Sequence, residues 1–97
     1  MRVRFLISAH QDMQSIKAYL AKENPQTAKR LIQKFRESTD RFRDFPQSGR
    51  MIPELNNPNL RESLVDRYRI MYQVDESSVN VFAVYDSRRA YPPPPEG

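Results

Sequence analysis

Residues 67–89 read RYRIMYQVDESSVNVFAVYDSRR, and this stretch decides the fold. Tyr68, Ile70, Tyr72 and Val74 alternate with Arg69, Met71 and Gln73, the period-2 pattern of a strand with one covered face. VNVFAVY is nearly all apolar and is expected to be the most buried strand. DESS between them has turn composition, so the two strands form a hairpin. Working backwards, ESLV is a shorter strand, with a turn at VDR. Cations bracket the hairpin: Arg67 and Arg69 in front, Arg88 and Arg89 behind.

The amino-terminal half carries the other periodicity. Ala28, Leu31, Ile32, Phe35, Thr39 and Phe42 recur at steps of three and four, opposite Lys29, Arg30, Gln33, Lys34, Arg36 and Glu37. That spacing predicts an amphipathic helix of about 20 residues. Asn24 and Pro25 start it, as N-cap and first helical residue. Pro46 and Gly49 in FPQSG end it. Before it, Ser8 and Gln11 match a capping box, and Met13, Ile16, Tyr19 and Leu20 share one face of an earlier helix. Val3, Phe5 and Ile7 alternate with Arg2, Arg4, Leu6 and Ser8 as a short first strand. MIPELNNPNL reads as loop, and the tail YPPPPEG as extended polyproline II.

The order is therefore β-α-α-β-β-β. Both helical stripes need burial, and an antiparallel sheet must cover one face. The expected fold is α+β, in two layers, with both helices on one face of a small, mainly antiparallel sheet. The first strand is expected to join beside a carboxy-terminal strand. The 97 residues suffice for one domain, assigned to residues 1–90, with a proline-rich tail at 91–97.

Composition removes several chemistries. There is no cysteine, so no disulfide, thiolate nucleophile or zinc–thiolate site. The one histidine, His10, lies at a helix start, and carboxylates are scattered without ligand spacing; no metal or cofactor is expected. Glycines number two, so there is no phosphate-binding glycine loop. No stretch approaches a membrane span, the start is unlike a signal peptide, and a cytoplasmic location is expected. Net charge is +4, and residues 25–50 hold seven cations against three anions. A basic segment of this kind points to an anionic or acidic partner.

Arginine is the remaining chemistry. Arg69 lies within a strand, Arg61 at the start of the preceding one, and Arg88 and Arg89 follow the last. Gathered on one edge, these guanidinium groups form a groove for phosphates or carboxylates. Paired with Asp66, Glu62 or Asp75, Arg69 instead solvates a sheet face.

The pieces ISAHQDMQSIKAYLAKENPQTAKRLI, FPQSGRMIPEL, RESLVDRYRIMYQV and VNVFAVYDSRR, in that order, resemble the RelE/ParE superfamily of toxins from type II toxin–antitoxin modules. The P-x-x-G-R, the Y-R-I-x-Y strand and the terminal R-R carry the resemblance. It implies the fold derived above and a cognate antitoxin in a hetero-oligomer. RelE-like members cleave messenger RNA on the ribosome without a metal; ParE-like members poison DNA gyrase. By position, Arg61, Arg69 and Arg89 match the cationic set of the nuclease branch, and Tyr91 falls near its carboxy-terminal tyrosine. Ser63 stands where a second lysine is expected, and Asp86 where many nuclease relatives carry histidine. The helix start NPQTAKRL and the loop GRMIPEL are similar to the ParE branch. A gyrase-directed toxin is thus the first expectation, and a ribosome-dependent nuclease the alternative. Arg69, Met71, Arg88 and Arg89 are the expected partner contacts, with the antitoxin covering the sheet face that bears Arg69.

Overall fold

The computed structural model describes residues 1–89; the proline tail and Tyr91 lie outside them. Strand β1 (Arg2–Phe5) leads into helices α1 (Ile7–Ala21) and α2 (Pro25–Asp40). A single 3-10 turn (Arg41–Arg43) follows, then β2 (Arg50–Met51), β3 (Leu60–Val65), β4 (Tyr68–Val74) and β5 (Ser78–Asp86). The five strands form one sheet in the order β1-β5-β4-β3-β2. Strands β2 to β5 pair antiparallel, while β1 runs parallel to β5.

The core lies between the helices and one sheet face. Leu31, Phe35 and Phe42 meet Tyr68, Ile70, Tyr72, Val79, Val81 and Val84 there. Phe42 stacks on Tyr72 with centroids 4.0 Å apart, and Phe35 meets Tyr68 edge-on at 5.7 Å. These are the favoured aromatic geometries. The α2 stripe is buried as its spacing requires, and Asn24 caps that helix by accepting from the backbone N–H groups of Gln26 and Thr27.

Ile7, read as the end of the first strand, instead opens α1. Four further sequence expectations change. First, Ser8 caps nothing. The N-cap position is Leu6, with no side-chain cap, and Ser8 Oγ donates to the Phe82 carbonyl at 2.6 Å. The cause lies in β5: Met71 pairs with Ala83 and Tyr72 with Val81, leaving Phe82 as a bulge. A bulge interrupts the ladder, and α1 fills the gap twice, because Asp12 Oδ2 also accepts from the Val84 N–H at 3.0 Å. Second, Tyr19 is 65% exposed rather than packed with Met13, Ile16 and Leu20. Third, the stretch read as loop contains β2, and β3 extends back to Leu60. Fourth, β4 is more continuously buried than β5: Tyr68–Tyr72 are all buried, Arg69 included. The bulge also explains why an almost wholly apolar β5 still alternates, with Val79, Val81 and Val84 facing the helices.

Candidate functional site

The arginines sort into three environments. Arg69 leaves the central strand on the face away from the helices and is 7% exposed. Its Nε donates to Glu62 Oε1 at 2.6 Å, while Nη1 and Nη2 donate to Glu54 at 2.8 and 2.7 Å, a bidentate fork. Glu62 is buried on β3 and also accepts from Arg50 at 2.6 Å. Glu54 is brought over the sheet by the segment after β2. The Arg69 hydrogen bonds pull its carboxyl down to about 2, and the two carboxylates push the guanidinium further up. Arg50, Glu62, Arg69 and Glu54 thus form a continuous chain of ion pairs.

Arg61 sits elsewhere. It pairs across β4 with Tyr72, three residues along that strand from Arg69. Its guanidinium donates to the carbonyls of Pro58 and Gly49, at 3.0 and 2.9 Å. Gly49 itself donates its N–H to the Tyr72 hydroxyl at 2.9 Å. A Cβ at Gly49 would collide with the Glu62 carbonyl and lie 2.6 Å from that hydroxyl. The P-x-x-G-R motif is therefore a clasp: glycine permits the close approach, and Arg50 reaches Glu62. Ser63 faces α2, with its hydroxyl 3.2 Å from that of Ser38.

Arg67, Arg88 and Arg89 come together at the opposite end of the hairpin. With Tyr19, Tyr68, Tyr85, Asp12 and Asp86 they line a cleft of ≈ 710 Å³ between α1 and the last strands. Asp86 accepts from Arg88 Nη2 at 2.8 Å and pairs with Arg67 at 3.5 Å. The Arg88 bonds hold the Asp86 carboxyl down at about 2. Burial pushes the Asp12 carboxyl up, partly offset by the Val84 N–H. Arg67 also lies 5.3 Å over the Tyr68 ring.

The predicted site residues are thus not one cluster. Arg88 and Arg89 share an exposed cleft. Arg69 is held in a carboxylate cage, Arg61 binds backbone carbonyls at a distance, and Met71 is fully buried. Among the described residues no group of three His, Cys, Asp or Glu side chains could hold a metal ion, and no helix is long and apolar enough to cross a membrane. Sequence reasoning named Glu62 as a partner for Arg69 but missed Glu54, which lies in an aperiodic segment. It placed Asp86 by resemblance alone and did not foresee its pairing with Arg67 and Arg88, although Arg88 lies two residues on.

Two helices on a mixed sheet in this strand order agree with the resemblance to toxins of the RelE/ParE superfamily, and the family comparison bears that class out. Within it the chain belongs to the ParE family: a family model described as "ParE toxin of type II toxin-antitoxin system, parDE" matches residues 3–91. A solved structure titled "Chromosomal ParDE TA system from P. aeruginosa" superposes with a TM-score of 0.72 at 16% identity, covering 89% of this chain and 95% of that one. At that identity the likeness is one of fold. No curated protein sequence matches the chain.

Proposed function

We propose that this toxin acts on DNA gyrase and is held inactive by a cognate antitoxin in a cytoplasmic hetero-oligomer. The observation that carries the choice of target is the caging of Arg69. A messenger nuclease without a metal needs free cations around the scissile phosphate. Here the strand arginine already serves two carboxylates, which would repel a phosphate brought to the same place. Arg61 is too far along the sheet to join Arg89, and Ser63 supplies no charge.

The exposed contacts assigned to the partners are Arg88 and Arg89 at the mouth of the cleft. Arg69 and Met71 act behind them, setting the shape of the sheet. Purified toxin is expected to change the cleavage or supercoiling pattern of gyrase with plasmid DNA, and to leave messenger intact in a translation extract. Ribosome-dependent cleavage with unaffected gyrase would reverse the reading.

A further inference from the structure

Tyr19 is an aromatic residue that the packing of the core leaves unused. It shares a sequence stripe with Met13, Ile16 and Leu20, yet 65% of it is exposed, in the lining of the cleft between α1 and the last strands. Tyr85 lines the same cleft. An aromatic ring held open beside cations is the kind of platform on which a nucleobase stacks.

The charges around the ring point the same way. The cleft continues into a smaller one of ≈ 230 Å³ beside α2, since Arg67 and Tyr68 line both. Along the two lie Arg30, Lys34, Arg67, Arg88 and Arg89, against Asp12, Asp66 and Asp86. Lys34 is engaged by Asp66, and Arg67 and Arg88 by Asp86. Arg30 and Arg89 are exposed, and neither is paired with a carboxylate among the described residues. Both are open to a phosphate.

Asp12 adds an acceptor. Its Oδ2 accepts from the Val84 N–H, while its other oxygen has no partner among the described residues. No side-chain oxygen is both buried and unsatisfied among them, so this one opens to the cleft that Asp12 lines. A carboxylate in such a place matches the exocyclic amine of cytosine or adenine, which thymine lacks.

We propose that the cleft seats an unpaired nucleotide of a single nucleic-acid strand. Its base stacks on Tyr19 and donates an amine hydrogen to Asp12, its phosphate meets Arg89, and the strand runs on toward Arg30. An acidic peptide is the poorer occupant, because Asp12, Asp66 and Asp86 would face its carboxylates. A duplex keeps its bases paired and offers none to the ring. The cleft lies on the helix side of the sheet, opposite the face from which Arg69 leaves, and no strand scission is part of this binding. The inference rests on the proposed function only in taking Arg89 as a partner contact, and its test omits gyrase, so the two readings fail separately.

The test measures fluorescence anisotropy of labelled octamers of deoxycytidine, thymidine and cytidine with the full chain at low salt. The deoxycytidine octamer is expected to bind about fivefold or more tighter than the thymidine octamer. Tyr19→Ala, at an exposed position, is expected to weaken both about tenfold. Arg89→Gln is expected to weaken both alike and to lower the salt dependence by about one phosphate contact. Asp12→Asn keeps an acceptor for the Val84 N–H and is expected to erase the preference for deoxycytidine. Should that variant fail to fold, the Tyr19 variant still decides. Tighter binding of the cytidine octamer than of its deoxy form would name RNA as the source of the strand, supporting the site while counting against gyrase as target. Equal affinity for deoxycytidine and thymidine octamers, or for a duplex of the same length, would overturn the proposal. So would a Tyr19→Ala variant that binds like the parent, or displacement by an octaglutamate peptide as readily as by unlabelled deoxycytidine octamer.

Discussion

At the scale of single residues, Arg69 does the most for the fold. Its partner Glu62 is wholly buried, so Arg69→Ala leaves that carboxylate with only the exposed Arg50 to neutralise it. Breaking such a pair costs about 3–5 kcal/mol, whereas replacing both members with apolar residues is often neutral. Chemical denaturation is expected to show this: a large loss for Arg69→Ala, and recovery of much of it in Arg69→Met, Glu62→Met. Loss of antitoxin binding on charge reversal of Arg69 would then reflect an unfolded sheet as much as a lost contact, and the denaturation curve separates the two. Gly49 is the second sensitive position. Gly49→Ala forces either the β3 backbone or Tyr72 to move, and overpacking of this kind costs about 1–3 kcal/mol. The same measurement checks it, with Gln47→Ala, at an exposed neighbouring position, as a control expected to change little. Sequence pattern located the strand arginine but not its state. Which carboxylate reaches it depends on where an aperiodic loop lands, and no period reports that.

At the scale of elements, α2 was fully legible because its start signal and its stripe agree. Helix α1 was legible only as a helix. Its Ser8 looked like a starting signal and Asp12 carried no signal at all, yet the two sit one turn apart on the face turned to β5 and complete a bulged ladder. Nothing in VNVFAVY marks where the extra residue falls, so the role of these two side chains was invisible. Asp12→Ala is expected to destabilise the protein by about 1–3 kcal/mol, since the Val84 N–H loses its acceptor in a half-buried place. Ser8→Ala should cost less, about 1 kcal/mol, and hydrogen exchange at Val84 should quicken only in the Asp12 variant. The β2 pairing was missed because two residues show no alternation.

At the scale of the whole molecule, acid should loosen the two ends of the sheet together. Glu54 and Asp86 both have carboxyls drawn down to about 2, from ordinary values of 4.5 and 3.8. A depressed carboxyl stabilises the fold above its unfolded value and stops doing so as pH falls through its folded value. Thermal midpoints are therefore expected to be flat above pH 5, to fall between about pH 4.5 and 2, and to fall less in Glu54→Gln. The two-layer arrangement was legible from element order alone, since short chains have few ways to bury two helical stripes. The split of the arginines was not, because strand register and the path of the loop decide which cations meet. The parallel pairing of β1 with β5 has one more outcome. Strand β1 finds its neighbour only in residues 78–81, so both helices and three other strands must be made before the sheet can close over it. At about 5–20 residues per second the ribosome keeps β1 waiting for several seconds, its backbone groups held by water meanwhile.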